Sequence, residues 1–361
     1  MTTVFIKGLG LIGSSLARAI REGHPDFRIL ASDPDPKTQE YALSQQLADQ
    51  MLPGLEGAEG ADYIILAGPV DAIKADIRQL SQMDLKKGAL VTDVGSVKQA
   101  IVDQAQALTK KGVDFIAGHP MAGSHKTGAW AGRALLFENA FYFLIPASQA
   151  AGKRLPELED LLKAARVKWL QLTAEEHDKI IAQISHLPHI VAAGLVNQTE
   201  DTFAGQPLGT RLAAGGFKSI TRIASSDPTM WSQILLNNSE DILKQLAEFQ
   251  AELKEVAREI EAGDEAALYD FFQKAKISRD KLGPDQVGAA PGHYDLFVNI
   301  PDQVGALADV TRLLAEAGIS IVSLQILEIR EEIDGVLQLT FAREADRQQA
   351  KEILAAYEMK K

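Results

Sequence analysis

Residues 4–20 read VFIKGLGLIGSSLARAI: an apolar run, a turn punctuated by glycine, then apolar residues at helical spacing. The turn, GLGLIG at 8–13, is G-x-G-x-x-G, placed where a strand at 4–7 hands over to a helix at 11–20. Each glycine has a task in that setting. Gly8 makes the tight turn, Gly10 lets the backbone approach a pyrophosphate, and Gly13 lets the helix pack closely on the sheet; Leu11 and Ile12 stand between them at the mouth of the helix. A helix N-terminus there turns unpaired N–H groups and its positive dipole end toward phosphates. Asp33 lies twenty residues beyond Gly13, at the end of the second apolar run. Its carboxylate can accept hydrogen bonds from both ribose hydroxyls and would repel a 2′-phosphate. The reading is a dinucleotide site that prefers NAD to NADP, although the loop alone also suits FAD or S-adenosylmethionine.

Working outward, short apolar runs recur at 28–32, 63–67, 90–94, 114–117, 142–146 and 168–172, most of them separated by helical patterns. Strand and helix in alternation predict an α/β domain, a mostly parallel sheet covered on both faces, over 1–172. From 173 to 283 the pattern is helical. Residues 180–196 are apolar around the whole circumference, as expected of a helix buried either between subunits or inside one. Residues 234–260 form a long amphipathic pattern that Gly263 ends. The Gly-, Pro- and Ala-rich stretch at 284–293 reads as a linker. A compact βαββα unit follows over 294–361, a small α+β, ferredoxin-like domain.

Composition narrows the classes. In 361 residues there are 37 Lys+Arg against 49 Asp+Glu, a net charge of −12, and no Cys. That balance argues against nucleic acid as a partner, and the lack of thiols removes disulfides and thiolate chemistry and fits a reducing compartment. No apolar run reaches about 18 residues, so no membrane span is expected, and the N-terminus lacks a secretory pattern. A cytoplasmic protein is the expectation.

Chemistry is sought among seven histidines. His119, in AGHPMAGSHKTG, follows the strand at 114–117, at the carboxyl edge where open α/β sheets bind ligands. A neutral imidazole there can accept an alcohol proton during hydride transfer. Ser96, in TDVGSVK, follows another strand at the same edge, and its hydroxyl can orient His119, meet a substrate oxygen, or cap a helix over 97–108. His186 and His189, in SHLPHIV, lack the third ligand and H-E-x-x-H spacing of a metal site; with Pro188 starting a helix, they read as a capping and a core histidine. In GGFKSITRIASSDPTMW (215–231), Lys218 and Arg222 stand at i, i+4 on one helix face. They suit a carboxylate, which Arg grips with two parallel bonds. Two surface cations, or an Arg222–Asp227 pair, are the alternatives. No metal is expected.

Taken in order, GLGLIGSSLA, TDVGSVK, GHPMAGSHKTG, SHLPHIVA and GGFKSITRIASSDPTMW make the chain resemble the prephenate dehydrogenases of tyrosine biosynthesis (the TyrA family), in the form with a C-terminal ACT domain. The resemblance implies a Rossmann domain followed by an all-α domain that forms a homodimer. It implies NAD-dependent oxidation of prephenate to 4-hydroxyphenylpyruvate and CO₂, with arogenate dehydrogenase as the alternative activity. On the matching positions it makes His119 the catalytic hydrogen-bond acceptor, and Ser96 the residue that orients it and meets the substrate hydroxyl. It makes Arg222 the carboxylate ligand, and His189, Lys218 and Trp231 pocket residues. Some family members have Thr-Glu-Lys where this chain has Ser124-His125-Lys126, and an acid where it has Ser219. An acidic gating interaction is therefore not carried over, and His125 is expected to contact substrate or cofactor instead. NIPDQVGALADVT and AGISIVSLQI resemble an ACT domain, whose Asp302–Gly305 loop implies L-tyrosine as effector.

Overall fold

The structure is a computed structural model that describes residues 1–122, 127–204, 212, 215–281, 294–301, 303–327 and 335–355. His125, Asp302 and the 284–293 linker lie outside the described residues.

Eight strands form one sheet: β1 (Thr3–Lys7), β2 (Arg28–Ser32), β3 (Gln50–Met51), β4 (Tyr63–Leu66), β5 (Leu90–Asp93), β6 (Asp114–Pro120), β7 (Phe141–Pro146) and β8 (Lys168–Gln171). Their order is β3-β2-β1-β4-β5-β6-β7-β8. Every neighbouring pair is parallel except β6 with β7. The chain enters at β1, runs outward to β3, then returns to the other side of β1 at β4. That reversal opens a crevice at the carboxyl ends of β1 and β4, and the glycine loop leaves β1 there.

Strand alternation sends each face to its own core. Val4 and Ile6 pack with Leu16, Ala17 and Ile20 of the helix Leu11–Gly23. Phe5 joins Ile73 and Ile77 of the helix Val70–Leu80 and Ile101 of the helix Gln99–Thr109 on the opposite face. The expected apolar runs all became strands. Only β3 gave no signal, because two residues that pair at Leu30↔Gln50 and Ala31↔Met51 are too few to carry a pattern.

The helical region corrects two expectations. The apolar stretch is part of one helical run, Ala174–Ile181, a π turn Ala182–His186, and Leu187–Thr202. Among the described residues it alone is long and apolar enough to cross a membrane by length and composition, yet only 28% of its most apolar window is buried within the chain. Burial concentrates at its start, where Ala174, His177, Asp178 and Ile181 meet the sheet, while Ile184 is 59% exposed. Among the described residues, the run is therefore not covered along its length as a core helix of one chain would be. The second pattern, expected unbroken from 234 to 260, divides at Asn238 into Pro228–Asn237 and Ser239–Ala262. Asn238 leaves helical geometry (φ −129°, ψ 36°) and donates its side-chain amide to the Asp178 carbonyl at 2.9 Å. Gly263, at φ +64°, ends the longer helix as expected.

Compactness divides the chain into Met1–Ala257 and Arg258–Lys361. The second unit carries the helix Glu265–Asp280 and a three-stranded antiparallel sheet, β9 (Tyr294–Ile300), β10 (Ser323–Leu327) and β11 (Gly335–Phe341), in order β10-β11-β9. The helices Ala306–Glu316 and Glu344–Ile353 bring Val310, Leu314 and Ala350 onto Val298, Leu337, Leu339 and Phe341. This is the expected βαββα unit. The second strand, β10, begins at Ser323 and not at 319, because Ile319 instead closes the preceding helix by donating its N–H to Leu314 O.

Candidate active site

Parallel strands put their carboxyl ends on one edge, and the candidate residues gather there. Gly8 holds φ +92°, and a Cβ on it would lie 2.9 Å from Ala67 O. A Cβ on Gly13 would fall 2.0 Å from Gly8 O, so helix and loop could not meet as they do. A Cβ on Gly10 would meet nothing within 4 Å, which leaves the loop backbone open to a ligand. The helix that begins at Leu11 has no side-chain cap, so its first N–H groups face the opening. Asp33 braces the loop: its Oδ2 accepts from Leu9 N at 2.8 Å and its Oδ1 from Asp35 N at 2.9 Å. Each oxygen keeps capacity for a further hydrogen. An open glycine cradle, an uncapped helix N-terminus and a carboxylate at the second strand fit a dinucleotide.

At the same edge β5 and β6 are locked by a buried ion pair. Lys98 and Asp93 are both 0% exposed. The Lys98 ammonium lies 2.5 Å from Asp93 Oδ2 and donates to Gly118 O at 2.6 Å. Asp93 also accepts from Gly95 N (2.7 Å) and Gly118 N (3.2 Å). Burial pushes the ammonium down and the carboxyl up in pKa, and their mutual attraction opposes both.

His119 follows Gly118 and is 8% exposed. Its Nδ1 lies 2.8 Å from Nε2 of His177, and His177 Nδ1 lies 2.7 Å from Asp178 Oδ1. The two Asp178 oxygens accept from Lys98 N (2.7 Å) and Gln99 N (2.8 Å). That changes the part open to Ser96: the helix starts at Gln99, and Asp178, reaching from the helical region, caps it. Ser96 is half-buried in the connecting loop, and Nδ1 of His119 is held by His177. Burial first, then His177, Lys98 and His186, hold the His119 pKa well below the ordinary imidazole value.

The helical region supplies a second cluster. His189 bonds Ser185 O through Nδ1 at 2.8 Å and stacks on Trp231, with centroids 3.8 Å apart. Pro188 stands in the first turn of Leu187–Thr202, but the chain enters through the π turn and not from a loop, so His189 does not lie at a free helix N-terminus. His186 is core, 1% exposed, and burial pushes its pKa down to about 4. It packs edge-on against Trp231 at 5.9 Å, whose buried Nε1 has no partner among the described residues.

Lys218 lies in the helix Gly215–Thr221, and Arg222 opens the 3₁₀ turn Arg222–Ser225. Both are exposed. Arg222 is close enough to His189 for its charge to lower that imidazole's pKa, behind the larger effect of burial. The Arg222–Asp227 alternative does not form, because Asp227 caps the helix Pro228–Asn237 by accepting from Met230 N at 2.7 Å.

Prephenate dehydrogenase family models match here, the nucleotide-binding domain over 16–171 and the dimerization domain over 173–274, with an ACT domain model over 294–358. A prephenate dehydrogenase of Bacillus subtilis (strain 168) is 40% identical over 355 residues, covering 98% of this chain and 96% of its own. The chain belongs to the prephenate dehydrogenase family. A crystal structure of the family's Aquifex aeolicus member, in complex with hydroxyphenyl propionate and NAD⁺, superposes with a TM-score of 0.72 at 30% identity, over 78% of this chain and 99% of that one. Synechocystis arogenate dehydrogenase gives 0.66 at 31%, again over 78% and 99%. This family member is an NAD-dependent oxidoreductase built from a Rossmann domain, a helical dimerisation domain and an ACT domain.

Asp93, Lys98, His177 and Asp178 were not singled out by sequence reasoning. Asp93 and Lys98 stand inside TDVGSVK, so an unexplained Asp and Lys beside a candidate serine was the available signal. His177-Asp178 had none beyond adjacency. Removing Lys98 strands the buried Asp93 carboxyl, and Lys98→Ala is expected to cost about 3–5 kcal/mol, read as a lower urea midpoint of unfolding.

Proposed function

We propose that the protein oxidises prephenate with NAD to 4-hydroxyphenylpyruvate and CO₂, as a cytoplasmic homodimer in tyrosine biosynthesis. The observation that carries this is His119: a buried imidazole, its pKa held well below the ordinary value by burial, at the sheet edge that holds the dinucleotide cradle, with Nδ1 engaged and Nε2 left to accept a proton. NAD, when bound between Gly8, Gly10, Gly13 and Asp33, supplies the hydride acceptor. His119 takes the proton of the 4-hydroxyl, and the Ser96 hydroxyl meets the same oxygen. Arg222 grips a substrate carboxylate, while His189, Lys218 and Trp231 orient the rest, with His125 as a further contact. Loss of the ring carboxylate restores aromaticity, so the residues chiefly position and polarise.

Arogenate is the second reading, favoured by the similarity to the Synechocystis enzyme. It differs in an amino group, and kcat/KM measured on both substrates decides between them. The apolar residues that the helical run exposes after Ile181, Ile184 and Val196 among the described residues, support the dimer. The ACT domain supports an amino-acid effector, and we take it to be L-tyrosine, held at the loop from Asp302 to Gly305. Gly305 adopts φ +97° at the start of the helix Ala306–Glu316.

General-base help is worth about 10²–10⁴ in rate. His119→Asn is expected to lower kcat by that order with KM little changed, and near-normal kcat would remove the acceptor role. Arg222→Ala should instead raise KM for prephenate by about tenfold or more, as loss of one charge-assisted bond implies; an unchanged KM reassigns the carboxylate site.

A base must be neutral to act, and a lowered pKa keeps it neutral to lower pH. Lys98, His177 and His186 disfavour the His119 cation together with burial, while Asp93 and Asp178 are each hydrogen-bonded to those neighbours. The acid limb of kcat/KM is therefore expected below pH 6.5; a limb at or above it would contradict the environment described. A chain ending near 292 should keep activity and lose tyrosine inhibition, and inhibition that survives the truncation would place the effector site elsewhere.

A further inference from the structure

We infer that His177 and Asp178 are positioning residues which, through hydrogen bonds, set the tautomer of His119 and then hold the proton it collects. This rests on the reading of His119 as the acceptor and adds how a buried imidazole can act as one.

Asp178 anchors the hydrogen-bond chain. Both of its oxygens accept from backbone N–H groups, those of Lys98 and Gln99, which prevent it from turning away. A carboxylate only accepts, so His177 must donate to it from Nδ1. A neutral His177 then presents a lone pair at Nε2, and the 2.8 Å contact requires His119 to donate from Nδ1. The lone pair of His119 is thereby forced onto Nε2. One fixed anion settles the protons on two rings in succession, and adjacent residues of one helical turn supply the means.

The same chain solves a charge problem. Once the substrate hydroxyl gives its proton to Nε2, His119 would be a largely buried cation, opposed by burial, Lys98 and His186. The Nδ1–H of His119 can then pass to Nε2 of His177. One N–H bond forms on each ring and one breaks on His119, which ends neutral as the Nε2–H tautomer. The positive charge moves to His177. Burial, and after it Lys98, oppose it there too and hold the His177 pKa below the ordinary imidazole value, but the direct hydrogen bond to Asp178 and the charges of Asp178 and Asp93 favour it. The return of the proton to solvent regenerates the starting tautomers.

The test compares His177→Leu, which removes the acceptor, with His177→Gln, whose side-chain oxygen can accept from His119 Nδ1–H but cannot take its proton. With both variants folded by circular dichroism, the Leu variant is expected to lose about 10²-fold or more in kcat, with KM for prephenate within about threefold. The Gln variant should recover part of that loss by restoring the tautomer. A folded Leu variant with kcat within about threefold of the parent, or a loss that falls on KM alone, would overturn the inference. Should the variants not fold, ¹⁵N spectra of imidazole-labelled, unaltered protein decide. Protonation at Nδ1 of both His119 and His177 supports the relay, and a resting His119 protonated at Nε2 refutes it. A parent enzyme that fails to oxidise prephenate would instead sink the functional reading, and the spectra would still judge the hydrogen-bond chain.

Discussion

Lys98 is shut away from water with its ammonium against Asp93, and the active edge is arranged around that contact. Burying an ammonium costs several kcal/mol even after relaxation, and an isolated pair would not repay it. Here the pair is saturated: the ammonium also reaches Gly118 O, and the carboxylate takes N–H groups from Gly95 and Gly118. Both polar groups of Gly118 are thus tied to a side chain from the neighbouring strand exit. The residue after Gly118 is His119, so the pair fixes where the imidazole begins. Gly118 itself has no room for a side chain, since a Cβ would sit 2.6 Å from Asp93 O and 2.8 Å from the Tyr142 ring.

The constraint extends from the sheet to the helices through Lys98's backbone. Its N–H is capped by Asp178, whose own carbonyl accepts from Asn238, and Asn238 breaks the long helical pattern to reach it. One buried acid therefore joins the sheet edge, the first turns of the apolar helix and the junction of two later helices. Apolar contacts of Ala174, Ile181 and Ile234 with the sheet core run alongside. Such polar connections are costly when left incomplete and rigid when complete, which suits a site that must hold an imidazole within hydrogen-bond reach of a reacting oxygen.

The apolar run from Ala174 to Thr202 combines two environments. Its start is buried where its polar residues find partners at the sheet edge, His177 in His119 and Asp178 in the N–H groups of Lys98 and Gln99. Its later turns expose Ile184 and Val196, as expected of a surface made to meet another copy of the chain and consistent with the family's dimerization domain. Hydropathy alone cannot separate these cases, because it counts side chains and not what covers them.

The sequence by itself determined the elements and the cofactor edge. GLGLIG followed a strand and opened a helix, Asp33 came at the right distance, and alternation of apolar runs named seven of the eight strands; these are local properties, settled by backbone sterics and side-chain period within a few residues. His119, Ser96 and Arg222 were expected from residue types that suit the chemistry, and His189 and Trp231 from the family resemblance. Only the tertiary structure decided what His119 leans on. The separation of 58 residues between it and His177, and of 80 between Lys98 and Asp178, leaves no periodic trace, because a hydrogen bond between distant segments depends on where the fold brings them and not on the spacing of either one.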